Sequence, residues 1–310
     1  MKRYKIIVNP VSGGGAGERS VPAIRQYLDE LTLEHDLVIS QKPGHTTELA
    51  FQASQENYHA VVVAGGDGTA NEALNGLMQA KEIQGRASAL GVLAIGRGND
   101  FAYGMNVPRQ LQAGCQTLAN DYRKAIDVGR ITGGDYPSGR YFGNGVGIGF
   151  DAVVGFEAAK MKRLQGFLSY LVAALKTIFL YYQAPFIRLE IDGQESQVSA
   201  LMVSIMNGRR MGGVFMMAPS ASPADGYLTV CIARQVSRPN ILRLIPHFIR
   251  GSQNSQKSIS SLDARRIKIT ALQGVLPAHA DGETICERGA ELTVELFPGQ
   301  IEIITDPTEL

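Results

Sequence analysis

The chain has 310 residues, room for about two domains, and its 45% hydrophobic and 19% charged content excludes a disordered protein. Thirty Lys and Arg against 29 Asp and Glu leave a net charge of +1, so nucleic acid is not an expected partner. Cys115, Cys231 and Cys286 are widely spaced with no CxxC pair, which excludes a disulfide scaffold and a cysteine zinc site and suits a reducing cytoplasm.

The opening run MKRYKIIVNP has too short an apolar stretch for a signal peptide, and none is expected. Residues 5–9 read as a buried strand that ends in a Gly-rich turn, and 21–31 as a helix. A second strand follows at 37–40, a helix at 46–56, a third strand at 60–64 and a helix at 69–80. A fourth strand covers 89–95. Short β-branched runs alternating with helices predict a parallel sheet covered on both faces, with ligands at the carboxyl ends of its strands.

Beyond residue 127 the texture changes. Short alternating segments at 141–152, 187–191, 199–206, 227–233, 266–270 and 291–296 are separated by Gly, Pro, Ser and Asp. They predict an antiparallel sandwich. The last segment, 300–304, follows Pro298-Gly299 and is suited to return to the first domain. The expected division is 1–128 plus 299–310 against 129–298, with no floppy linker and a shared cleft. The apolar run 164–182 is interrupted by Gln165, Ser169 and Lys176, so it reads as a buried or groove-lining helix rather than a bilayer span.

Three turns carry the chemistry, and each follows a predicted parallel strand. In Asn9-Pro10-Val11-Ser12-Gly13-Gly14-Gly15 the glycines let backbone N–H groups approach phosphate oxygens at a helix start, without the Gly-Lys-Ser/Thr of a P-loop. In Gly65-Gly66-Asp67-Gly68-Thr69, followed by Asn71 and Glu72, a tight turn holds a carboxylate where Mg²⁺ would sit beside phosphates. In Gly96-Arg97-Gly98-Asn99-Asp100, Arg97 is suited to neutralise phosphate and Asp100 to accept from metal-bound water, although Asn99 or Asp100 would equally serve as a helix cap. The first and third turns, taken alone, read as readily as ordinary punctuation, and the second is the sharper signal. Three at adjacent strand ends point to a nucleotide.

These motifs, together with Asp127-Val128-Gly129, Gly149-Phe150-Asp151-Ala152, Asn207-Gly208, Asp225-Gly226-Tyr227-Leu228 and Asp281-Gly282-Glu283, resemble those of the soluble bacterial diacylglycerol and lipid kinases, relatives of the sphingosine kinases. The resemblance runs nearly end to end. It implies an NAD kinase- and phosphofructokinase-like ATP-binding α/β domain, a β-sandwich lipid-substrate domain, and ATP- and Mg²⁺-dependent phosphorylation of a lipid hydroxyl. By motif match, ATP would be held by Gly66, Asp67, Gly68, Thr69, Asn71 and Glu72, with Ser40, Asn9, Ser12, Gly13 and Arg97 nearby. Glu283 matches the general base, and Asp225 a structural Mg²⁺ ligand completed by carbonyls of Ser222 and Tyr227. Asp127 reads either as a cap at the domain crossing or as a partner of Asp67 and Asp100 in a metal-water network.

Family members commonly carry Thr where this chain has Arg97. Asp67 and Glu283 are expected to converge on one interdomain crevice. The five histidines (His35, His45, His59, His247, His279) show no ligand spacing and are expected at the surface or in local hydrogen bonds, with His279 alone close to the Asp281 motif. Lys160, Lys162 and Arg163, at the start of a helix near 158–182, suit reversible contact with an anionic bilayer at the inner face of the membrane; a solvated start to a core helix is the alternative. Edge strands of the sandwich leave pairing with a second copy open. The rival readings are a kinase of a polar acceptor related to NAD kinase and a non-catalytic nucleotide-binding regulator; no Asn-x-Gly-x-Leu-Gly-Phe element supports the first. A nicotinamide oxidoreductase lacks its Gly-x-Gly-x-x-Gly.

Overall fold

The computed structural model describes residues 2–160, 172–173, 175–178 and 184–307. They form two compact units, Met1–Val128 with Pro298–Leu310, and Gly129–Phe297.

In the first unit the strands are β1 (Arg3–Val8), β2 (Glu34–Ile39), β3 (Ala60–Gly65) and β4 (Ala89–Ala94). All pair in parallel, in the order β4-β3-β1-β2. Every residue of β3 is buried, as expected of a strand with both faces covered. The helices are α1 (Ser12–Glu30), α2 (His45–Gln55), α3 (Asp67–Gln84), α4 (Asp100–Gly104) and α5 (Leu111–Asn120). Ile24 and Leu28 of α1 and Cys115 and Leu118 of α5 pack with Tyr4, Ile6, Val8, Val62 and Leu93 of the sheet. The end of β15 (Glu291–Ile304) adds a parallel strand, with Ile303 opposite Leu90. The returning chain is fastened further. Lys81 Nζ donates to the Gln300 carbonyl at 2.5 Å, Gly299 N–H to Asp127 Oδ1 at 2.8 Å and Thr305 N–H to the Tyr122 carbonyl at 3.0 Å.

The second unit is built on antiparallel strands. β5 (Arg123–Gly133) enters it and pairs with β6 (Tyr136–Phe142). β9 (Gln194–Met206) is long enough to serve two sets of partners. Its first half pairs with β8 (Phe186–Ile191), its second with β7 (Gly145–Gly149) and β10 (Leu228–Arg234). β11 (Ile259–Ala264) pairs with β10, β12 (Arg266–Gln273) with β8 and β15, and β13 (Leu276–Ala280) with β7 and β14 (Glu283–Gly289). Phe142, Val146, Val203, Ile205, Val230, Ile267, Ile269 and Val294 meet in one core. A parallel α/β region and a β-rich region are thus both present, as the sequence predicts.

Two local readings change. The strand predicted over 141–152 stops at Gly149, whose φ of 96° turns the chain, and α6 (Phe150–Ala159) begins there as a helix. A helix not read from the sequence, α7 (Arg238–Arg250), buries Ile241, Leu244 and Phe248 against Met202, Met206 and Met217. No helix among the described residues is long and apolar enough to cross a membrane. Most of the predicted apolar helix, including Lys162 and Arg163, lies outside the described residues.

Candidate active site

In the first unit the three Gly-rich turns follow β1, β3 and β4, which are neighbours in the sheet. Their backbones touch. A Cβ on Gly96 would stand 2.4 Å from the Cα of Gly66, and one on Gly13 2.7 Å from the Ile95 carbonyl oxygen, so only glycine permits the approach. Side chains fasten the turns. Asn9 Nδ2 donates to Thr69 Oγ1 at 2.9 Å, Ser12 Oγ to the Ile95 carbonyl at 3.1 Å, and Asn99 closes its own turn on Gly96.

Gly13, Gly14 and Gly15 all have positive φ, a left-handed turn ahead of the regular part of α1. The guanidinium of exposed Arg97 reaches over it, with one nitrogen 3.9 Å from the Cβ position of Gly14. Asp67 opens α3, where first-turn N–H groups such as those of Gly68 and Thr69 have no intrahelical acceptor. Its Oδ1 accepts from Phe101 N–H at 2.9 Å. Its Oδ2 and an oxygen of buried Asp100 lie 2.9 and 3.4 Å from the Cβ position of Gly98, so two carboxylates flank one glycine. Asn9, Ser12, Gly13, Gly66, Asp67, Thr69, Arg97 and Asp100 are therefore brought together.

The remaining candidate residues of this unit have other partners. Ser40, next to β2, donates its N–H to the Val8 carbonyl at 2.9 Å. Asn71 is buried and bonded by Asn75. Glu72 accepts from the N–H groups of Gly44 (2.9 Å) and Thr46 (3.2 Å), so its carboxylate caps α2 and holds the loop after Ser40. Asp127 receives the Gly299 N–H.

In the second unit β13 and β14 form a hairpin with Ala280 opposite Glu283. Asp281 and Gly282 both have positive φ (48° and 85°), as a two-residue primed turn requires. Asp281 is buried, and its two oxygens accept the N–H groups of Gly143 (2.8 Å), Asn144 (3.0 Å) and Gly145 (2.9 Å). That bracing fixes the backbone from which half-buried Glu283 projects.

Residues 3–131 match the diacylglycerol kinase catalytic domain, and residues 144–305 the YegS C-terminal NAD kinase beta sandwich-like domain. The chain belongs to the diacylglycerol kinase family. It is similar to the diacylglycerol kinases of Mycobacterium tuberculosis (28% identity, 98% of this chain and 97% of the relative) and Staphylococcus carnosus (26%, 91% and 89%). Its fold is shared by a diacylglycerol kinase structure from Bacillus anthracis (TM-score 0.75, 20% identity, 100% and 98% covered). Yeast NADH kinase is a more distant structural neighbour (TM-score 0.54, 13% identity, 99% and 84%). This chain is accordingly a lipid kinase, and ATP use follows from the family.

The donor chemistry of the family's metal can be tested on these residues. No group of three His, Cys, Asp or Glu side chains forms a metal cage among the described residues. Mg²⁺ bound through one or two carboxylates, with phosphate and water as its other ligands, needs none, and the Asp67–Asp100 pair offers hard oxygens of that kind. At the predicted structural site Asp225 Oδ1 accepts the Tyr227 N–H at 2.9 Å, which puts these two in one turn. Arg265 lies against that turn, donating to the Gly226 carbonyl at 3.0 Å and stacking on Tyr227.

A further polar cluster of this kinase escaped the sequence reading. Asp151 of α6 accepts from Ser204 Oγ at 2.7 Å and from Ala152 N–H at 2.9 Å. A Cβ on Gly147 would lie 2.4 Å from His279 Nε2 and 2.7 Å from Asp151 Oδ2, so both side chains press on one bare stretch of β7. Burial pushes the Asp151 carboxyl up to about 7 and the His279 imidazole down to about 4. The sequence places His279 at the surface or in a local hydrogen bond; it is instead buried, and among the described residues its Nδ1 has no partner. The available signal was Gly145-x-Gly147-x-Gly149, a period-two row that strips one face of a strand.

Proposed function

We propose that this lipid kinase transfers the γ-phosphoryl group of ATP, with Mg²⁺, to the free hydroxyl of a diacylglycerol-like lipid. The carrying observation is the junction of three glycine turns at adjacent parallel strand ends, with the Asp67–Asp100 pair beside Gly98 and Arg97 over Gly14. N–H donors of the α3 start, at Gly68 and Thr69, suit phosphate oxygens, and the bare Gly13–Gly14 backbone lets them come close. Arg97 adds a permanent positive charge where the common Thr would offer a hydroxyl. Glu72 contributes by holding the loop after Ser40.

Asp67 and Asp100 would hold Mg²⁺, whose bound charge offsets that of the phosphates. Asp225, with carbonyls of Ser222 and Tyr227, is assigned a structural Mg²⁺. Glu283 takes the proton of the acceptor hydroxyl. That oxygen bonds the γ-phosphorus while the bond to the β,γ-bridging oxygen breaks, leaving ADP and a phosphorylated lipid. The nucleotide belongs to the first unit and the acceptor to the second. The protein would work in the cytoplasm, with reversible attachment at the membrane's inner face.

The test uses labelled ATP, Mg²⁺ and a lipid extract, with the labelled product resolved. Asp67→Asn keeps an oxygen for the Phe101 N–H, and Glu283→Gln removes only the proton acceptor. Each is expected to lower kcat by about 10²–10⁴-fold with little change in Tm. Near-normal transfer by both variants would falsify the roles given to these carboxylates. Label appearing only on a water-soluble acceptor would move the enzyme to the NAD kinase side of its fold relatives.

A further inference from the structure

From residue 226 to 262 the chain contains no Asp or Glu, yet it carries Arg234, Arg238, Arg243, Arg250 and Lys257. In a chain whose overall charge is +1, this is a concentrated positive segment. All five basic residues are exposed. The segment contains α7, with buried Ile241, Leu244 and Phe248 on one side. On the other side Leu242, Arg243, Pro246 and Arg250 are all exposed, so cationic and apolar groups share the outer face.

Neither Arg243 nor Arg250 enters an ion pair among the described residues; Arg243 bonds only the neutral Asn240 Oδ1, at 3.2 Å. The first turn of α7 has no acid to balance its dipole and begins with Arg238. The basic helix start near residue 158 differs. There Lys160 and Lys176 both pair with Glu157, which holds that carboxyl low.

We propose that the outer face of α7 docks the kinase on an anionic bilayer. The arginines meet lipid phosphates, and Leu242 and Pro246 settle at the headgroup boundary. Arginine beside exposed apolar carbon is the composition of a helix lying in the interface plane. The lipid acceptor, which rests on the function proposed above, supplies the reason for this occupant. Each basic side chain close to such a surface raises partitioning by about fivefold.

Cosedimentation without nucleotide tests this apart from catalysis. The vesicles are phosphatidylcholine alone or with roughly a third phosphatidylglycerol, a fraction in which the charge effect is large. Wild type should bind only the anionic vesicles and release as salt rises. Arg243→Gln with Arg250→Gln should lower partitioning about 10- to 30-fold. Arg243→Lys with Arg250→Lys should bind within about twofold of wild type, since the charge is kept. Phosphorylation of a short-chain acceptor in detergent micelles should be the same for all three proteins. Loss of that activity in wild type would count against the catalytic reading and leave the docking result standing. Equal sedimentation of the glutamine pair and wild type would sink the docking proposal. So would a lysine pair that behaves like the glutamine pair, or tighter binding of wild type to duplex DNA than to the anionic vesicles.

Discussion

The two units reach polar chemistry by opposite means. In the first, side chains are withheld: glycines at three strand ends let backbones meet, with a Gly96 Cβ position only 2.4 Å from the Gly66 Cα. In the second, carboxyls are sealed in. Asp281 spends both oxygens on three backbone N–H groups, and Asp151 sits against Gly147 with a pKa pushed up to about 7. A junction of bare backbone suits a highly charged group brought by a ligand, which replaces lost water. A sealed carboxyl suits a rigid scaffold for one projecting side chain.

The comparison can be broken at the first unit. Gly96→Ala forces a methyl into the Gly66 Cα and the Asn99 Oδ1, each 2.4 Å away. The turns must part, and we expect a loss of about 3–5 kcal/mol in urea unfolding together with loss of nucleotide binding. A variant with unchanged stability would show that the close approach is not required. Asp281→Ala probes the second unit. It leaves the N–H groups of Gly143, Asn144 and Gly145 without their acceptor, at an expected cost of about 2–4 kcal/mol by the same measurement. Less than about 1 kcal/mol would mean that water replaces the carboxylate easily.

Asp151→Asn sharpens the contrast with the smallest effect. Its carboxyl is raised in the folded state from 3.8 to about 7. Below pH 4 both states hold the proton and nothing is lost; between about 4 and 7 the unfolded chain ionises while the folded one keeps its proton, so stability falls and then levels off above 7. The variant should therefore gain Tm relative to wild type by a few degrees at pH 8 and by nearly nothing at pH 4. His279 acts in the other direction. With its folded pKa lowered to about 4, its contribution is present above about 6.5 and fades as pH falls through 4. A Tm difference that is flat with pH would show that Asp151 is hydrated in solution.

Legibility followed sequence distance. The strands of the first unit and the turns after Val8, Gly65 and Ala94 were readable because each is decided by a few consecutive residues: an apolar β-branched run, then glycine. A hairpin turn at Asp281-Gly282 was readable for the same reason, whereas the role given to Glu283 came from the family resemblance alone. What braces the turn was not readable, since Asp281 meets Gly143–Gly145, residues 136 to 138 positions away. The Asp151–Ser204–His279 cluster is long-range in the same way, drawing on a helix start and two strands. α7 was hidden by Pro246, which reads as a helix breaker yet is tolerated on an exposed face, where water can serve the Leu242 carbonyl that it leaves unpaired. Glu72 was placed at ATP by motif match alone, because its capping of α2 depends on how that helix lies beside α3.

The strand contributed by Ile303 has a bearing on biosynthesis. A ribosome emits residues 129–297 between β4 and the segment that covers its free edge. At roughly 5–20 residues per second, that edge waits on the order of 10–30 s with its amides exposed. A nascent α/β half in that condition is a natural client for chaperones. Truncation shortly before Pro298 should harm the first-made half more than the last-made one.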